Sequence, residues 1–108
     1  MTLNFYQKKA VKTLIRNDVL KNLIIRMSLG LCGESGEIAE KVKKYMREDY
    51  GEKELKEKIK SELGDVLWYI ATLSNLFNIN LGDIAKENIE KLAKRKKERK
   101  IRGEGDNR

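Results

Sequence analysis

Two acidic pairs share one spacing: Glu34-Ser-Gly-Glu37 and Glu62-Leu-Gly-Asp65. On a helix, residues three apart leave the same face with Cβ atoms roughly 5–6 Å apart. Each pair also falls where the helical pattern of the chain asks for core residues. Clustered carboxylates repel one another and resist burial unless a cation neutralises them. Hard oxygen donors of this kind suit Mg²⁺, Mn²⁺ or Ca²⁺. The bland alternative is that these acids are solvated or paired with lysines such as Lys41 and Lys58. Two pairs, each intruding on its own apolar stripe, favour a metal site instead. Glu37 and Glu62 are 24 residues apart in the intervening chain, enough for one helix to end, turn and let the next return alongside.

The rest of the composition narrows the chemistry. The chain has 108 residues, a net charge of +7, one cysteine (Cys32) and no histidine. A single cysteine permits no internal disulfide and no cysteine-based zinc cluster. Without imidazole, acid–base work must fall to carboxylates, lysine, tyrosine or water activated by a metal. No stretch approaches the roughly 20 apolar residues of a membrane span, and the polar N-terminus lacks the apolar segment of a signal peptide. A cytoplasmic protein is expected. Much of the positive charge lies in Lys91-Leu-Ala-Lys-Arg-Lys-Lys-Glu-Arg-Lys100, which reads as a solvated helix end or as a surface for an anionic partner.

The elements that must carry the acids are helical. There is no proline, and Leu, Ile, Lys and Glu dominate. A first helix is predicted over about residues 3–16, with Leu3, Tyr6, Ala10, Leu14 and Ile15 apolar. Asn17-Asp18 reads as a break and an N-cap. A second helix over about 19–49 carries Leu20, Leu23, Met27, Leu31, Ile38, Val42 and Tyr45, with Glu34 inside that stripe. Gly30, Gly33 and Gly36 suggest a close approach of backbone or ligand. Tyr50-Gly51 reads as a helix stop. A third helix over about 52–78 carries Leu55, Ile59, Val66, Ile70, Leu73 and Phe77, with Glu62 on the same face. Asn80 and Asp83 suggest the start of a fourth helix over about 81–99, with Ile84, Ala85 and Leu92 apolar. Short loops imply an antiparallel all-α bundle. The expected organisation is one helical domain over residues 1–102 and a polar tail over 103–108.

This pattern resembles the MazG-like nucleotide pyrophosphohydrolases of the all-α NTP pyrophosphatase superfamily. Their signature is Glu-x-x-Glu, a variable spacer, then Glu-x-x-Asp. The likeness runs through Leu29-Gly-Leu-Cys-Gly-Glu-Ser-Gly-Glu-Ile-Ala-Glu40, through Glu62-Leu-Gly-Asp-Val-Leu-Trp-Tyr69, and into Asn88-Ile-Glu-Lys-Leu92 with Arg95. The resemblance implies Mg²⁺-dependent cleavage of a nucleoside triphosphate between the α and β phosphates, with Mn²⁺ as a substitute. Glu34, Glu37, Glu62 and Asp65 would be the catalytic metal ligands, with Glu34 also the choice for accepting a proton from the attacking water. The roles left to substrate binding go to Asn88, Lys91 and Arg95 on the fourth helix, Tyr69 as a base-stacking ring, and Arg108 from the tail. For each of these an ordinary reading stands beside the functional one: a solvated basic helix end, a core aromatic, a frayed terminus. Subunit partners are also implied, as a homodimer or a dimer of dimers, because a lone chain would leave apolar stripe uncovered. Phosphoribosyl-ATP pyrophosphohydrolase shares this fold and bond, but its characteristic histidine is missing. A non-enzymatic helical module binding nucleic acid through residues 91–100 is the rival from another class.

Overall fold

Glu34 and Glu62 lie near the middle of the two longest helices. In the computed structural model, which describes the backbone of residues 1–102, these are α2 (Leu20–Met46) and α3 (Glu52–Leu76). They are preceded by α1 (Leu3–Val11) and followed by α4 (Leu81–Arg102), and every regular element among the described residues is helical. The all-α expectation is met. α2 and α3 form an antiparallel hairpin and share the most extensive packing, while α1 and α4 both lie against α3. No α2–α4 contact occurs among the described residues.

The core forms where α1 and the loop after it meet the C-terminal half of α3. Leu14, Leu23, Met27 and Leu76 make one buried cluster, flanked by Trp68, Tyr69 and Leu73. Ala10, Ala71 and Leu81 make the other, and Trp68 packs against both. The indole Nε1 of Trp68 donates to the Thr13 hydroxyl at 2.7 Å, which ties α3 to the chain leaving α1.

α1 is shorter than its periodicity predicts. After Val11 the amides of Thr13 and Leu14 bond back to the carbonyls of Ala10 and Val11, closing a tight turn. The Thr13 hydroxyl also donates to Ala10. Leu14 still reaches the core, but from a loop.

The end of α2 also differs from expectation. Glu48 adopts a left-handed φ of 67°, with its amide on Tyr45 and that of Asp49 on Lys44. This is the paired bonding of a Schellman cap, in which the left-handed position is usually glycine. Asn78 does the same after α3, with φ 58° and bonds from Asn78 to Asn75 and Ile79 to Ser74. Gly51 is instead the extended N-cap of α3. At the start of α2, Asp18 accepts from the Val19 amide and from Asn22, while Val19 is the cap residue.

Gln7 was not anticipated as a structural residue. It is buried, and its amide nitrogen donates to the carbonyls of Ala71 and Ile79 while its Oε1 accepts from the Leu81 amide at 2.9 Å. Asn4 accepts from the Gly82 amide. Two amides at the start of α4, which no helical carbonyl can satisfy, are therefore capped by α1 from far along the chain.

Candidate active site

The hairpin of α2 and α3 brings three of the four acids together. Glu34, Glu62 and Asp65 each offer a carboxylate oxygen within a set whose members all lie within 4.8 Å of one another. Glu34 and Glu62 are half-buried and Asp65 is exposed. Glu34 has its carboxyl held above the usual carboxylate range, first by a shared hydrogen bond with Glu62 and then by desolvation and the charges of Asp65, Glu62 and Glu37. Glu62 Oε2 is buried and has no hydrogen-bond partner, an arrangement that costs free energy unless a cation or donor meets it. Crowded carboxylates with an orphaned oxygen fit a divalent cation held by oxygen ligands.

Glu37 stands apart from this set. Its Oε2 lies 3.4 Å from the ammonium of Lys41, one turn along α2. The same ammonium lies 3.9 Å from Glu62 Oε1. Lys58, by contrast, pairs with Glu54 and sits over the Tyr50 ring. The lysine pairing considered from sequence thus holds for Lys41 and not for Lys58.

A cavity of about 220 Å³ opens beside the acids, lined by Glu34, Asp65, Trp68 and Tyr69. The two rings meet edge to face, with centroids 4.9 Å apart. Tyr69 packs against the backbone of α2 at Gly30, where an added Cβ would come within 2.8 Å of the phenol oxygen. Gly30 is therefore a place of close approach, as its type suggests. Gly33 and Gly36 are not, for nothing lies within 4 Å of a Cβ at either. Tyr6, from α1, stands near enough for the charge of Asp65 to add to burial in raising its phenol pKa.

The remaining predicted residues lie elsewhere. Asn88, Lys91 and Arg95 are exposed on α4 and none of them borders the acidic cavity. Arg108 lies outside the described residues. Trp68 serves both the core and the cavity wall.

A family model, the MazG nucleotide pyrophosphohydrolase domain, matches residues 24–100. The chain belongs to the MazG family. The MazG match begins within the first turns of α2, so it spans both acidic pairs, the aromatic wall and most of α4 while leaving α1 outside. Membership makes the domain a nucleotide pyrophosphohydrolase by family, hence a hydrolase. Among relatives, the "Gene 37 protein" of Mycobacterium phage L5 is 44% identical over 84 residues, covering 76% of this chain and 74% of that protein. No solved structure matches. No helix among the described residues is long and apolar enough to cross a membrane.

Proposed function

We propose that this protein is a Mg²⁺-dependent nucleoside triphosphate pyrophosphohydrolase that cleaves (d)NTPs to the monophosphate and pyrophosphate and clears unwanted nucleotides from the pool. The observation that carries the reading is the juxtaposition of Glu34, Glu62 and Asp65 across two helices, with the buried Glu62 Oε2 left without a partner. Glu34, Glu62 and Asp65 would hold the ion, and Glu37 is close enough in sequence to join them by a change of side-chain rotamer. When bound, a divalent ion supplies neutralisation of polyphosphate oxygens and acidifies water. Mn²⁺ would serve the same donors.

The protein's own groups do the rest. Glu34 is the proposed acceptor of the proton released by the attacking water. Tyr69, wedged on Gly30 and braced by Trp68, offers a ring for the nucleobase at the edge of the acids. Lys91 and Arg95 supply cations for outer phosphate oxygens, and Asn88 a polar contact. None of these α4 groups borders the acidic cavity of its own chain, which supports their serving the site of a second copy. A homodimer or a dimer of dimers would also cover Leu29, Met46, Ile89 and Leu92, each more than half exposed.

The test is product analysis. Purified protein, sized by light scattering against the 12.5 kDa chain, is incubated with Mg²⁺ and a panel of standard and modified NTPs and dNTPs. Monophosphate plus pyrophosphate, lost in EDTA, is the expected outcome. Diphosphate plus phosphate, or turnover unaffected by EDTA, would contradict the reading. Phosphoribosyl-ATP is included in the panel as the substrate of the nearest alternative.

A further inference from the structure

Lys41 bridges the acidic site. It stands on α2 one turn beyond Glu37, and its ammonium lies 3.4 Å from Glu37 and 3.9 Å from Glu62 on the facing helix. The other side-chain ion pairs among the described residues, Arg47–Asp49 and Lys58–Glu54, lie away from the four acids. Lys41 is also held more firmly than a surface lysine. Its side chain is 21% exposed, and its carbonyl accepts the Tyr50 hydroxyl at 2.5 Å, fastening that turn of α2 to the end of the hairpin loop just before α3.

A unit positive charge at this place has two consequences. It orients Glu37 and Glu62, and it opposes any further cation that those carboxylates would hold. The second effect wins on magnitude. A pair partly open to solvent contributes little to holding side chains in place, whereas repulsion between a monovalent and a divalent charge is doubled and acts on every ion that enters.

We propose that Lys41 is an internal counter-cation of the metal centre that weakens the affinity of the site for free divalent ions. The inference rests on the metal-centre reading given above. Its consequence is that tight binding of the ion awaits a polyanionic substrate, whose charge offsets that of Lys41. A nucleotide and its ion would then enter together.

The experiment is calorimetric titration of the purified protein with Mn²⁺ alone, without nucleotide. Lys41→Met keeps the unbranched stem, one atom shorter, and removes the charge. It is expected to tighten Mn²⁺ binding about tenfold, the size of effect for removing a unit charge near a divalent ion at near-aqueous dielectric. Lys41→Arg, which keeps the charge, should bind as the wild type does, and circular dichroism confirms that both variants are folded. Unchanged or weaker Mn²⁺ binding in folded Lys41→Met would overturn the role of Lys41 while leaving the metal centre standing. Wild-type protein that binds no Mn²⁺ removable by Glu62→Gln would overturn both.

Discussion

Glu34 sits on helix α2 with three other acids around it, and without a cation its charge works against the fold. Its folded-state pKa is raised above the usual 4.5, with the hydrogen bond to Glu62 as the largest cause. The stability associated with its protonated form is therefore fully present below that value and is lost as pH rises through the elevated one. Replacing it with glutamine keeps a donor toward Glu62 and removes one negative charge. In EDTA near pH 7, Glu34→Gln should melt at a higher temperature than the wild type, and the difference should close as the pH is lowered below about 4.5. A melting temperature at or below that of the wild type in EDTA would refute the assignment of strain to this carboxylate. The sequence exposed Glu34, Glu62 and Asp65 because carboxylates within apolar stripes are conspicuous. It could not show that Glu37 turns toward Lys41, since helical spacing settles the face and leaves the rotamer open. Gln7 escaped notice for the opposite reason: a polar side chain on a short helix reads as exposed until its distant carbonyl partners are known.

At the scale of elements, the site depends on how closely α2 and α3 approach. Gly30 allows the Tyr69 ring to lie on the α2 backbone, and Trp68 stands edge-on behind it. Gly30→Ala gains up to about 1 kcal/mol of helix propensity but forces a braced ring aside, for which overpacking costs of about 1–3 kcal/mol are usual. The expected result is a net loss of stability, read as a lower denaturation midpoint in urea. A higher midpoint would mean that Tyr69 yields freely and is not a fixed wall of the cavity. Three long helices were readable from the spacing of Leu, Ile and Val. Their ends were less so, because Glu48 takes a left-handed cap position at a cost of about 1–2 kcal/mol, and sequence reasoning looked to glycine at that role. The cap of α4 was hidden altogether, since Asn4 and Gln7 supply it from α1.

The whole molecule is open for its size. Its radius of gyration is 17.4 Å, against about 13 Å for a compact chain of roughly 100 residues. α4 packs on α1 and α3 and carries the exposed Ile89 and Leu92, and none of its residues borders the acidic cavity. A lone chain thus places the aromatic wall and carboxylates on one part of the molecule and the expected phosphate-binding cations on another. The proposed second copy reconciles the two. Carboxylates shared between α2 and α3 are proposed to hold the ion that promotes cleavage of a nucleotide anhydride. The most direct measurement is pyrophosphate release from NTPs and Mg²⁺ by wild type and by Glu62→Gln at matched helical content. The expected result is release by the wild type and a loss of at least about 100-fold in the variant, the effect of displacing an ion worth several kcal/mol to the transition state. Equal rates in the two proteins would contradict it.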